Sequence, residues 1–205
     1  MIPSKQDLFD SEKMYTYIKG YAMALSWNDT IAALAFARRV HQGQTRKNGQ
    51  PYIVHPLTIA CHAIALGIKD DTVIASALLH DTVEDCGVKV NYLPVSSKTQ
   101  EAVRLLTHVK GEPLEPYYRA ISENETASIV KLLDRCDNVS SMAGVFSVEK
   151  TKSYIDETRN YVLPLLRQTK DNWPIDGNAL FTLKYHITSV INGIANTFET
   201  IEKET

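Results

Sequence analysis

An all-α fold, a compact helical bundle of roughly eight to ten helices, is what this sequence predicts. Three observations carry that expectation. Apolar residues recur at helical steps of three and four, most plainly Leu180, Leu183, Ile187, Ile191, Ile194, Phe198 and Ile201. No stretch alternates apolar and polar residues over the length of a strand, and there is no internal repeat or low-complexity tract. The apolar runs are separated by short connectors rich in turn residues, such as RKNGQP and GEPLEP.

In chain order, residues 1–28 are mixed, and Lys13–Leu25 sets Met14, Tyr17, Ile18, Tyr21 and Leu25 along one side of a helix. Asn28 or Asp29 then caps a second helix, TIAALAFARRVHQGQ, which Gly43 closes. The stretch RKNGQPYIVHP (46–56) reads as a loop. Asn48-Gly49 and Pro51 mark turns, and the residue before Pro56 is pushed out of helical geometry. Pro56 suits the first turn of the next helix, which ends at Gly67, so His55 is expected just outside a helix start. TVIASALL (72–79) has no breaker, and the helix it opens is expected to run to Cys86. A polar connector with a proline leads to a short helix over Gln100–Val109, GEPLEP breaks the chain, and Tyr117–Ser122 forms another short helix. Glu125–Ser141 is a strong helix with Ile129, Val130, Leu132, Leu133 and Cys136 on its apolar side. Lys150–Gln168 reads as a long helix interrupted near Pro164, and Asn178–Lys203 is the last.

With 205 residues, 44% of them hydrophobic, the chain can bury the core of one domain. Residues 1–205 are expected to form it, with a motif-bearing core over about 30–142 and helical flanks over 1–29 and 143–205. A formal net charge of −2 argues against broad nucleic-acid binding, which goes with a basic excess. Cys61, Cys86 and Cys136 are odd in number and scattered, which argues against a disulfide scaffold or a zinc knuckle. The start MIPSKQDLFDSEK lacks a basic-then-apolar signal pattern and no run has the length of a membrane span, so the cytoplasm is expected and no membrane partner. The C-terminal apolar stripe is compatible with internal packing or with a homo-oligomer.

The chemistry concentrates in LLHDTVEDCG (78–87). His80 and Asp81 close an apolar run, and Glu84 and Asp85 follow one helical turn later, so a continuous helix stacks His80 over Glu84 and Asp81 over Asp85. Packing has little use for an imidazole and three carboxylates at one helix end, because unpaired buried charge is costly. A divalent cation resolves that cost, and a mixed nitrogen–oxygen set suits Mn, Fe or Zn more than Ca. His55 and Asp134, in separate stretches, complete a credible set of two imidazoles and two carboxylates. Lys131, Asp134 and Asn138 form a polar stripe on their helix, apart from its apolar side.

His55-Pro56, LLHDTVED (78–85) and KLLDRCDN (131–138), in that order, resemble the HD superfamily of metal-dependent phosphohydrolases. RKNGQPYIVHP and HDTVED are similar in particular to the hydrolase domain of the RelA/SpoT proteins, which degrade (p)ppGpp, over about Thr30 to Met142. The resemblance implies metal ligands at His55, His80, Asp81 and Asp134, with Mn²⁺ the usual ion. It implies that Glu84 and Asp85 activate the attacking water, that Arg46 and Lys47 contact nucleotide and phosphates, and that Asn138 lies near the ribose. The implied reaction removes the 3′-diphosphate of a small-molecule nucleotide substrate. No synthetase domain fits in the remaining length, so the stand-alone small hydrolase type is expected. Another phosphorylated nucleotide or metabolite, or a non-catalytic metal-bound module, is the alternative. Two residues depart from the pattern: Cys136 and Asp137 stand where the family often has leucine and histidine.

Overall fold

The computed structural model describes residues 10–204, and the part of the expected N-terminal flank that falls on residues 1–9 lies outside them. In chain order the helices are α1 (Ser11–Ala24), α2 (Asn28–Val40), α3 (Val54–Ala65), α4 (Asp71–Leu79) and α5 (Thr82–Cys86). They continue with α6 (Ser97–Leu106), α7 (Leu114–Ser122), α8 (Glu125–Met142), α9 (Val148–Glu157), α10 (Leu163–Asn172) and α11 (Gly177–Glu204). The fold is all-α, as the sequence predicts. Among the described residues the one extended pairing is an isolated bridge between Thr45 and Pro51, which closes the loop around Asn48-Gly49.

Two helices form the centre. On α4 every residue from Val73 to Leu79 is buried, because α2, α3, α6 and α8 surround it. Helix α4 is therefore buried all round, as a central helix must be. Helix α8 packs against α3, α4, α6, α7, α10 and α11, and buries twelve of its eighteen residues. Truncating Leu78 or Leu133, both without exposed surface, would cost about 2–5 kcal/mol.

The differences from the sequence reading have physical causes. The start of α2 is not capped by Asn28 or Asp29. Instead the Asp71 carboxylate, from the start of α4, accepts the backbone N–H groups of Asp29 and Thr30 at 3.1 and 2.7 Å. Asp29 in turn accepts from Ser96 N–H and Thr99 Oγ1 at the start of α6. Caps supplied by another helix leave no signal in a local window. Helices α6 and α7 both begin three residues earlier than the sequence suggests, α7 inside the GEPLEP stretch. Between α9 and α10 a π-helical segment, Thr158–Val162, precedes Pro164. A proline ring crowds the carbonyl four residues back, and widening the ladder there relieves it without ending the helix. On α11, Leu180, Leu183, Ile187 and Ile191 are buried within the chain, whereas Ile201 is 53% exposed.

Candidate metal centre and its cavity

The expected continuous helix from residue 72 to Cys86 breaks at His80 and Asp81, between α4 and α5. Thr82 Oγ1 donates to Leu79 O at 2.7 Å, and the chain resumes its helical ladder through Asp85 N–H to Asp81 O at 2.8 Å. The break turns His80 and Asp81 inward, while Glu84 and Asp85 remain at the exposed face of α5. His55 also differs from expectation. Helix α3 starts at Val54, so His55 lies inside its first turn and is buried.

Each histidine has one nitrogen fixed. His80 Nδ1 donates to Ala77 O at 2.9 Å, and His55 Nδ1 donates to Asp137 Oδ2 at 2.6 Å. Both acceptors lack protons of their own, so Nδ1–H is set in each ring and Nε2 is the atom available to a cation. The two Nε2 atoms converge. His55 Nε2 lies 3.3 Å from Asp134 Oδ1 and 3.5 Å from Asp81 Oδ2. His80 Nε2 lies 3.7 Å and 2.9 Å from the same two oxygens. Donor atoms of His55, His80 and Asp134 all fall within 4.8 Å of one another, and Asp81 joins them through both imidazoles. His80 Nε2 is buried yet makes no directed hydrogen bond, the condition expected of a ligand atom aimed at an ion.

The electrostatics point the same way. Burial works to lower both histidines, but the carboxylates of Asp134 and Asp137 beside His55, and of Asp81 and Asp134 beside His80, outweigh it. Both imidazoles are raised, His80 well above its ordinary range. Burial would raise Asp134, yet the Lys131 ammonium and the two imidazoles hold it well below the carboxylate range. A cluster that gathers protons this strongly has a deficit of positive charge, and a divalent cation would displace those protons. The donor set fits such an ion.

A cavity of about 500 Å³ opens over this cluster. All nine candidate residues line it: Arg46, Lys47, His55, His80, Asp81, Glu84, Asp85, Asp134 and Asn138. Asp134 divides its oxygens, Oδ1 facing the histidines and Oδ2 accepting from Lys131 Nζ at 3.2 Å. Glu84 accepts from His108 N–H at 3.2 Å. Its carboxyl is pushed up by partial burial and by the charges of Asp81 and Asp85, against the opposing His108 N–H. Arg46 reaches α8, donating to Asp137 Oδ2 at 3.0 Å and to Asn138 Oδ1 at 2.9 Å.

The sequence reading missed four contributors. Tyr52 donates its hydroxyl to Asp81 Oδ2 at 2.6 Å and stacks on the buried His41 ring at 4.8 Å. Asp137 orients His55. Its place three residues after Asp134, on the same helix face, was a usable signal. Phe146 and Lys150 line the cavity, with Lys150 Nζ 4.2 Å and Lys47 Nζ 5.6 Å from the Phe146 ring centre. No local pattern marks them, because only tertiary packing brings the start of α9 to the loop. Arg119, on α7, is exposed and lies outside the cavity lining.

A family model described as HD domain matches residues 33–168. The chain belongs to the HD domain family. An HD domain implies a divalent metal, in keeping with the donor set above, and the match extends beyond the motif-bearing stretch into α9 and α10. Among curated proteins, the guanosine-3′,5′-bis(diphosphate) 3′-pyrophosphohydrolase of Aquifex aeolicus is 35% identical over 166 residues, 76% of this chain and 23% of that protein. A probable GTP pyrophosphokinase of Mycobacterium leprae is 32% identical over 151 residues, 67% of this chain and 19% of that protein. This HD chain thus spans about a fifth of the length of the curated relatives it matches. A solved structure, of a metazoan ortholog of SpoT that hydrolyzes ppGpp, shares the fold with TM-score 0.62 and 21% identity. The match covers 81% of this chain and 95% of that one. Among the described residues no helix is long and apolar enough to cross a membrane.

Proposed function

We propose that this HD domain is an Mn²⁺-dependent hydrolase that removes the 3′-diphosphate from (p)ppGpp, giving GDP or GTP and pyrophosphate. One observation carries the reading: His55, His80, Asp81 and Asp134 converge in a cavity that Arg46, Lys47, Lys131 and Lys150 also line. Carboxylates and imidazoles around a cation, beside three further ammonium groups and a guanidinium, suit a substrate with clustered phosphates. The relatives' names add support for guanosine 3′-diphosphates as the substrate class.

In this reading a bound divalent cation supplies acidity to water and a sink for charge on phosphoryl oxygens. The protein does the rest. His55 and His80 present Nε2, oriented by Asp137 and Ala77 O. Tyr52 fixes the Asp81 carboxylate. Glu84, with its carboxyl raised, takes the proton of the attacking water, with Asp85 beside it. The oxygen of that water forms a bond to the nearer phosphorus of the 3′-diphosphate, the bond to the ribose 3′ oxygen breaks, and that oxygen leaves as a hydroxyl by taking up the proton that Glu84 removed from the water. Arg46, Lys47 and Lys150 hold the nucleotide's other phosphates, and Asn138 lies near the ribose. The helical flanks belong to the same domain in this reading.

The test incubates metal-stripped protein with ppGpp, with and without Mn²⁺, and resolves products by anion exchange. GDP and pyrophosphate appearing only with Mn²⁺ is the expected result. Protein that binds Mn²⁺ and leaves ppGpp intact would redirect the search to other phosphorylated nucleotides.

A further inference from the structure

Asp137 is a departure from the family pattern, and one of its oxygens serves two donors. Oδ2 accepts from His55 Nδ1–H at 2.6 Å and from Arg46 Nη1 at 3.0 Å. The first donor belongs to a metal-binding ring, the second to the loop that opens toward the substrate. Both side chains are largely enclosed, Arg46 with 18% and Asp137 with 15% of its surface exposed, so water screens the contact weakly. A second strand of contacts runs parallel. Arg46 Nη2 donates to Asn138 Oδ1 at 2.9 Å, and Asn138 Nδ2 donates to Asp134 Oδ1.

We propose that Asp137 is a positioning residue that couples Arg46 to the metal centre, so that drawing Arg46 onto an anion strengthens the hold of the site on its cation. The inference rests on His55 being a metal ligand. While Arg46 pairs with Oδ2, it withdraws negative charge from the acceptor of His55 Nδ1–H. Moving the guanidinium to a substrate phosphate returns that charge to the His55 side, and Nε2 becomes the stronger donor to a cation. Substrate and metal then bind with positive coupling, and by linkage the metal strengthens the grip on substrate equally. Histidine at this position cannot do the same, since it carries no negative charge to share.

The test needs no nucleotide. Mn²⁺ affinity is read from the free-ion EPR signal for the wild type, Asp137→Asn, Arg46→Gln, the double variant and a Lys47→Gln control. Asp137→Asn is expected to weaken Mn²⁺ binding by about 10- to 100-fold. Arg46→Gln is expected to tighten it by about fivefold or more, although Arg46 is no ligand. In the Asp137→Asn background that gain should shrink to the small effect of Lys47→Gln. Additive effects, or an Arg46→Gln variant that binds Mn²⁺ no better than wild type, would overturn the coupling. If Asp137→Asn fails to fold, the sign of the Arg46→Gln change decides alone, because mere loosening of the loop would weaken binding rather than tighten it. Wild-type protein that takes up no Mn²⁺ overturns the proposal too. Uptake of Mn²⁺ without cleavage of ppGpp would sink the substrate reading and leave the coupling standing.

Discussion

The floor of the cavity and its rim are built on different principles. On the floor, His55, His80 and Asp134 are buried and sit on α3, the end of α4 and α8, helices that the core packs against one another. Their orientation is inherited from the fold: His80 is held by a carbonyl of its own helix, which no substitution removes. At the rim, Lys47 and Lys150 are exposed, on a loop and on the first turn of α9, and a shared aromatic ring is what brings them together. The contrast teaches that this chain places its candidate metal donors by core packing and the two rim lysines by side-chain contacts. Changes to the floor should act through metal, and changes to the rim through substrate.

The largest effect is expected at the floor. His80→Ala removes a donor and leaves Asp81 and Asp134 with less counter-charge in a buried site. Metal content after dialysis should fall to the background of the assay, and turnover with it. Retention of stoichiometric metal would break the assignment of the floor. Next comes Glu84→Gln, where metal should stay and kcat should fall by about 10²–10⁴-fold, the usual contribution of a positioned general base. The pH profile sharpens this. Because burial holds Glu84 above its ordinary value, its basic form is lost at a higher pH as the solution is acidified, so the acid limb of kcat/KM should lie higher than an unperturbed glutamate gives. That limb should vanish in Glu84→Gln; an unchanged limb would assign it to another group.

The residues that converge on the floor stood out in the sequence, and so did Lys47 at the rim, whereas Phe146 and Lys150 did not. His80, Asp81 and Asp134 stand out because charged groups end or interrupt apolar helical runs, a local conflict that a pattern exposes. The break after Leu79 was hidden, since nothing between Thr72 and Cys86 is a helix breaker. The chain unwinds there because both His80 and Asp81 must turn toward His55, a demand made by another helix. Asp137 stood out only as a departure from the family pattern, and it is the acceptor that fixes His55. Arg135 would read as a surface partner in a helix pair, yet it is 1% exposed. Its guanidinium pairs with Glu157, receives the Tyr154 ring at 3.9 Å, and donates to Thr158 Oγ1 at 3.3 Å.

That buried arginine gives a way to separate the two regions. It follows Asp134 in sequence but holds the far side of the cavity, tying α9 and the π-helical segment to α8. Arg135→Met should cost about 3 kcal/mol, the lower end for breaking a buried ion pair, because Glu157 keeps some contact with water. Thermal or urea unfolding measures it. Mn²⁺ affinity of the folded fraction should hardly change, while KM rises as α9 loosens. Equal loss of metal would mean that floor and rim are one mechanical unit.

The smallest effect is expected at the rim itself. Lys47 and Lys150 approach the same Phe146 ring from two elements, and neither has an acidic partner within ion-pair distance among the described residues. Partial burial and the nearby Lys47 charge push the Lys150 ammonium down. Two like charges held together gain from an anion between them, and a phosphate group carries the complementary charge. Each side chain is exposed, so its contribution is that of a single charge-assisted contact at a wet site. Lys150→Ala should raise KM about tenfold at low salt with kcat and Mn²⁺ affinity unchanged. The effect should shrink as ionic strength rises, and Lys47→Ala in the same background should add less than it does alone, because removing the first lysine already relieves the repulsion. A fall in kcat with KM unchanged would instead place Lys150 against the reacting phosphate, and the division between a metal-holding floor and a substrate-holding rim would have to be redrawn.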